Sequence, residues 1–301
     1  MKLVELSKAR KDFGKRTAVL DMDLAVGAGD IFGLLGHNGA GKSTAIGMML
    51  GQVWPTAGAV RLFGHDVTLN RQQALQKVGA IFETPVFYDY LSGRRNLEIF
   101  SHFTGPTPAA KIDEVIEWVG LKGREGAKVR TYSHGMRARL AIAQALLPAP
   151  ELLILDEPSD GLDPEGIHEM RQTIHRLHRE LGLTILLSSH LLNEVEMLCT
   201  RIAVMNQGRK VFEGGLAEAK NAGNWWRLAT SDFTAAAAKL REAGLVSAAR
   251  DGQYLALAEN RGSEEVVRCL VELGFPVYEL AREEQDLEKF YLALMEKERR
   301  Q

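Results

Sequence analysis

The chain has 301 residues, 46% of them hydrophobic and 25% charged, an ordinary balance for a soluble globular protein and enough for one large domain and a small one. A formal net charge of -2 argues against a dedicated nucleic-acid surface. Cys199 and Cys269 lie far apart and form no C-x-x-C pair, which fits a reducing compartment without a disulfide framework; neither a signal segment nor an apolar run near the ~18 residues of a membrane span is present, so other chains would have to supply any membrane passage.

Residues 3–6 and 18–26 read as strands, the second alternating apolar and polar positions. Phe13 lies between them. Its ring can stack on a purine base or plug a sheet edge, and the residues alone favour the edge. A buried strand over 30–35 then leads into Gly36-His37-Asn38-Gly39-Ala40-Gly41-Lys42-Ser43-Thr44, which fits G-x-x-x-x-G-K-[ST] without mismatch. Glycines let the backbone wrap an anion and aim N–H groups at phosphate oxygens; Lys42 supplies charge for the outer phosphates and Ser43 a hydroxyl for Mg²⁺. The following stretch, 43–50, reads as a helix whose N-terminus faces those phosphates.

A turn at 55–58, a strand at 59–63 and a buried strand at 78–82 ending at Glu83 come next. Residues 84–91, with Pro85, Phe87, Tyr88 and Tyr90, suit an irregular loop, and the period then turns helical over 94–103 and 109–119, as if a helical insert interrupted a strand–helix alternation. Tyr132-Ser133-His134-Gly135-Met136 opens another helix, with Ser133 where an N-cap belongs. The apolar strand 152–155 delivers Asp156 and Glu157 at its carboxyl end, where ligands of parallel α/β sheets gather; Asp156 suits the Mg²⁺ shell, and Glu157 suits polarising an attacking water. Pro158 to Asp163 turn into a helix to residue 181 whose His168, His175 and His178 suit a solvated face better than a metal site. One more buried strand, 183–188, ends near His190, which is either structural or a contact to the γ-phosphate or water. A hairpin spans 201–212, and Gly214-Gly215 with Asn221-Ala222-Gly223 mark a boundary. Beyond it, strands at 225–229, 254–258 and 277–280 alternate with helices at 234–243, 263–273 and 285–297; Trp225 and Trp226 suit a core.

Taken in order, the phosphate loop, the Ser-x-Gly segment, the Asp-Glu strand and the trailing histidine resemble the ATPase subunit of an ATP-binding cassette (ABC) transporter over roughly residues 1–220. The resemblance implies a P-loop NTPase of α/β class, with a RecA-like core, an antiparallel β subdomain and a helical insert at about 84–147, followed by a small α+β domain at 221–301. It assigns Phe13 to adenine stacking and Gly36, His37, Asn38, Gly39, Ala40, Gly41, Lys42, Ser43 and Thr44 to the Walker A loop. Ser133 and Gly135 fall on the signature that reaches a partner's ATP, Ser159 to Asp163 on the D-loop, and Lys42, Glu157 and His190 on the catalytic set. Mg²⁺ falls to Ser43, Asp156 and Glu83. It further implies hydrolysis of ATP, a head-to-tail pair of cassettes formed by identical chains or with a second ABC ATPase, a separate membrane permease docking at Phe87 to Tyr90, and a place at the cytoplasmic face of a membrane, with no nucleic acid. The other class open to such a chain is a soluble ABC-type ATPase acting on nucleic acid or a ribosome, which more naturally carries two cassettes, a coiled-coil insert or strong basic charge. Two departures are informative. The family's usual Leu-Ser-Gly-Gly-Gln is here Tyr132 to Met136, a form similar to ABC-2-type exporters, and Glu83 stands in place of a glutamine, as in the bacitracin and lantibiotic-immunity branch. An added carboxylate at 83 can either strengthen a metal contact or repel phosphate.

Overall fold

A computed structural model describes residues 1–82, 85–104, 107–221, 225–250, 253–259, 261–283 and 286–299. The chain divides into two compact units, Met1–Leu216 and Ala217–Gln301.

In the first unit, β1 (Lys2–Phe13) and β2 (Arg16–Gly27) form a long antiparallel pair, and β3 (Ile31–Leu35) leads through the phosphate loop into α1 (Lys42–Met49). β4 (Ala57–Leu62), β5 (His65–Asp66), α2 (Arg71–Leu75) and β6 (Val78–Ile81) follow. The helical stretch holds α3 (Gly93–Thr104), α4 (Ala109–Trp118) and α5 (His134–Leu146), after which come β7 (Leu152–Leu155), α6 (Pro164–Leu181), β8 (Thr184–Ser189), α7 (Leu192–Leu198), β9 (Arg201–Asn206), β10 (Arg209–Gly215) and α8 (Leu216–Asn221).

Two sheets result, ordered β2-β1-β4-β5 and β10-β9-β3-β8-β7-β6. β6, β7, β8, β3 and β9 run parallel, and their apolar runs are continuous because both faces are covered; every residue of β3, β7 and β8 is buried. β1 is longer than its apolar stretch at 3–6 suggests. Lys8, Arg10 and Lys11 continue it because one face of an antiparallel sheet tolerates solvent, and bonding to β2 and β4 carries the strand on to Phe13. Helix ends follow local chemistry: Asp163 caps α6, accepting from the Gly166 amide at 2.9 Å with Pro164 at the first position, and Gly182, at φ 66°, stops it. Gly214 and Gly215 pair with Ile202 and Arg201 as the end of β10, and the division into units follows directly, between Leu216 and Ala217 at the start of α8; Ala222 and Gly223 of the second marker lie outside the described residues.

The second unit carries β11 (Trp225–Thr230), α9 (Phe233–Glu242), β12 (Val246–Arg250), β13 (Tyr254–Leu257), α10 (Ser263–Glu272), β14 (Val277–Arg282) and α11 (Leu287–Arg299). Its antiparallel order β12-β13-β11-β14 makes a β-α-β-β-α-β ferredoxin-like unit. β12, Val-Ser-Ala-Ala-Arg, has too little β-branched or aromatic character to be read from sequence. Trp226 packs on a core built around Leu228, Leu240, Leu255 and Leu270, whereas Trp225 lies under Arg250, 4.5 Å from the guanidinium carbon to the ring. No helix among the described residues is long and apolar enough to cross a membrane.

Candidate active site

The phosphate loop leaves the carboxyl end of β3 and is squeezed between two neighbours. Gly41 stands at φ 107°, and a Cβ there would lie 2.4 Å from the Ala18 carbonyl oxygen of β2; at Gly36 a Cβ would lie 2.6 Å from the Met205 carbonyl of β9. Both positions therefore require glycine. The Ala40 carbonyl accepts from the Gly208 amide at 2.9 Å, pinning the loop to the β9–β10 turn. Lys42 folds back under this arch. Its Nζ donates to the carbonyls of Gly36 at 2.7 Å and His37 at 3.4 Å, and it stands 3.1 Å from Oε1 of Glu157, with the side chain only 4% exposed.

Glu157 arrives there because of strand register. β7 and β8 pair Leu155 with Leu187, which brings Asp156 and Ser188 side by side at the carboxyl edge. The wholly buried Ser188 hydroxyl donates to Asp156 Oδ1 at 2.5 Å and accepts from the Glu157 amide at 2.9 Å, so one hydroxyl orients both acids. Glu157 occupies the left-handed region at φ 46°, an uncommon conformation that neighbouring bonds hold in place. His190 Nδ1 meets the second oxygen of the same carboxylate. Burial pushes the Glu157 carboxyl up, but hydrogen bonds and charge from Lys42 and His190 outweigh it and hold the group below its ordinary range.

A cavity of about 470 Å³ opens in front of the loop, lined by Phe13, Arg16 and Ala18 on one side and Asn38, Gly39, Gly41, Lys42, Ser43, Thr44 and Glu157 on the other. Phe13 does not plug an edge: it is 51% exposed at the end of β1, with Lys11 Nζ 4.9 Å from its ring centre. The reading from the residues alone is corrected by the length of β1, which carries the ring to the cavity. Gly36, His37 and Ala40 build the loop without lining this space; His37 bonds the Asn38 carbonyl at 2.7 Å and Asn206 Oδ1 at 3.2 Å. A second cavity of about 840 Å³ shares Asn38, Ser43 and Glu157 with the first and adds Asp156, His190, Tyr132, His134 and Arg137. Ser133 lines neither cavity. It is exposed, capping α5 by accepting from the Met136 amide at 3.2 Å, while Gly135 is buried with the Gly166 Cα 3.6 Å from where its Cβ would be.

The expectation for Glu83 lies outside the described residues. Of the three histidines on α6, His168 bonds Gln172, His175 the Met197 carbonyl and His178 the Leu183 carbonyl; among the described residues three or more His, Cys, Asp or Glu side chains gather closely instead at Glu157, Asp160 and His190, with ligand atoms within 4.8 Å of one another. Sequence reasoning missed Ser188, although its place at a strand end beside the acid-bearing strand is a usable signal. It also missed Arg16, in the first cavity, and Glu194 of α7. Glu194 is 6% exposed, its Oε1 has no hydrogen-bond partner, and burial lifts its carboxyl above the ordinary value against the opposing pull of Ser159, Arg171, His190 and Ser189.

A sequence profile of the ABC transporter family matches residues 19–160, from within β2 to just past Glu157. The bacitracin transport ATP-binding protein BcrA of Bacillus licheniformis is 43% identical over 211 residues, covering 70% of this chain and 69% of that protein. The chain belongs to the ABC transporter ATP-binding family. A Nod factor export ATP-binding protein I of Cupriavidus pinatubonensis is 39% identical to this ABC ATPase over 215 residues, 70% of this chain and 66% of the relative. A solved nucleotide-free ATP-binding cassette from an ABC transporter superposes with a TM-score of 0.67 at 25% identity, over 73% of this chain and 94% of that one. The protein is thus an ATP-binding, ATP-hydrolysing ABC transporter subunit, with its family core in the first unit.

Proposed function

We propose that the chain powers export by a separate membrane permease, hydrolysing MgATP in a site that a second cassette must complete. The observation that carries the reading is the convergence of Lys42 and His190 on the two oxygens of Glu157, at the wall of the cavity shared by the phosphate loop and Phe13. With nucleotide bound, the adenine stacks on Phe13, the loop amides and Lys42 take the phosphates, and Glu157 accepts the proton of the attacking water while His190 orients it.

The donor set fits a divalent cation. Asp156 is oriented by Ser188, and the exposed Ser43 shares the second cavity with it. These two residues would hold Mg²⁺, with Glu83 as a further candidate, and would thereby place a cation that would offset charge on the terminal phosphates. Pairing is supported by Ser133, whose exposed position at the start of α5 leaves it outside its own chain's nucleotide cavity; in a head-to-tail pair it and Gly135 close on the partner's nucleotide. Identical chains or a second ABC ATPase can serve as that partner.

The permease contact falls on the segment after Pro85. Phe87 anchors it, buried against Phe100 with ring centres 6.1 Å apart, while Val86, Tyr88, Tyr90 and Phe103 are 81%, 43%, 66% and 81% exposed. Such apolar exposure suits a protein partner at the cytoplasmic face of a membrane. The names of the bacitracin and Nod-factor relatives support transport and export over work on nucleic acid or a ribosome, and the net charge agrees. Coexpression with an ABC-2-type permease tests it: the parent copurifies with the membrane protein and Tyr90→Ser with Val86→Ser does not. A parent chain that stays entirely in the soluble fraction would overturn the permease reading.

A further inference from the structure

The exposed aromatic segment and the signature helix are joined by a charged link that the reading above does not assign. Asp89, between Tyr88 and Tyr90, accepts a hydrogen bond from Arg137 at 2.7 Å. Arg137 belongs to the first turn of α5, its amide bonded at 3.0 Å to the carbonyl of Ser133. Arg137 is also among the residues lining the cavity that includes Asp156, Glu157 and His190.

The segment around Asp89 is well supported. The Asp89 carbonyl accepts from the Arg130 amide at 3.0 Å, the Leu91 carbonyl from Val129 at 2.9 Å, and the Glu125 carbonyl from Arg94 at 2.9 Å. Tyr132 donates its hydroxyl to the Arg124 carbonyl at 2.9 Å, which requires glycine at 93, where a Cβ would lie 2.3 Å from that hydroxyl. Residues 89–94 and 124–132 therefore form one braced piece, and the Asp89–Arg137 pair ties it to α5. With side chains 56% and 32% exposed, the pair adds little to stability.

We propose that Asp89 is a positioning residue for ATP hydrolysis: by holding Arg137 it sets the orientation of the α5 N-terminus, and hence of Ser133, toward the partner's phosphates. This rests on the reading of Ser133 as the group that closes a second chain's site. Because Asp89 sits between the exposed tyrosines, displacement of that segment by a docked protein reaches Ser133 along the same link.

The test is steady-state ATP hydrolysis by the full chain at fixed protein concentration, with thermal denaturation run in parallel. Asp89→Asn lowers kcat by about three- to five-fold with KM for ATP held within about two-fold, since Asp89 lines neither cavity of its own chain, and Arg137→Asp lowers kcat at least as far. Combining Asp89→Arg with Arg137→Asp restores kcat, because charge and not residue identity makes the link. Parental kcat in both single variants, a rise in KM in place of the fall in kcat, or an exchanged pair that recovers nothing would overturn the role of Asp89. Ser133→Ala separates the two readings. If it leaves kcat unchanged, the trans-acting serine is lost and the proposal with it; if it lowers kcat while Asp89→Asn does not, only Asp89 loses its role.

Discussion

Replacing Glu157 by Gln exchanges one carboxylate oxygen for an NH2 group in a site where the proposed function gives that side chain two jobs. Its carboxylate lies 3.1 Å from Lys42 Nζ, which also donates to the Gly36 and His37 carbonyls, so a phosphate that takes one of the three N–H groups competes with the carboxylate and these two carbonyls. A hydrogen bond between two charged groups is worth about 1 kcal/mol more than its charged–neutral counterpart, so Gln should release Lys42 more readily and tighten MgATP binding by about five-fold. Turnover goes the other way. Loss of a positioned proton acceptor typically costs about 10²- to 10⁴-fold, or about 2.7–5.5 kcal/mol of barrier. Isothermal titration with MgATP reads the first effect, and single-turnover phosphate release the second. Hydrolysis within about ten-fold of the parent would remove Glu157 from the proton-transfer role. Affinity unchanged or weaker would mean that the Lys42–Glu157 pair does not compete with nucleotide. A third readout follows from the lowered pKa of Glu157: its contribution to stability is present above its ordinary value of 4.5 and lost as pH falls through the lower folded value, so the variant should be less stable than the parent at neutral pH and approach it in acid.

Gly41→Ala should both unfold more easily and lose MgATP binding in titration calorimetry, because the new methyl meets the Ala18 carbonyl oxygen at 2.4 Å on a backbone at φ 107°; parental affinity would mean that the loop relaxes freely. Glu194→Gln should show the opposite pH trend from Glu157→Gln in urea denaturation. Because its folded pKa is raised, the stability contributed by Glu194 is full below its ordinary 4.5 and declines as pH rises through the folded value, where the buried carboxylate must ionise; Gln escapes this, so its advantage over the parent should grow with pH and vanish in acid. A difference independent of pH would show that the raised pKa does not operate in the folded protein.

Much of the core was legible because parallel strands buried on both faces leave unbroken apolar runs, as at 30–35, 152–155 and 183–188, and because the phosphate loop needs glycine and lysine at set spacing. β1 was read short, since its outer half carries charge on a solvated face. β12 was missed for want of strand-forming side chains, and the Gly214-Gly215 pair, although it closes β10, stands directly before the division between the two units.

At the site, residue types alone pointed to a loop that would hold a triphosphate and to the acid pair Asp156-Glu157, since those features are local in the chain. The rest waited for tertiary structure. Phe13 became a wall of the cavity in front of the Gly36–Thr44 loop only because β1 extends that far, and Ser188 became the hydroxyl bonded to both Asp156 and Glu157 only through the β7–β8 register. Likewise Asp89 and Arg137 are 48 positions apart, and nothing in either neighbourhood announces their bond. Spacing along the chain specifies chemistry that one loop or strand end can hold by itself; which distant charges and hydroxyls meet is decided by how sheets register and helices pack.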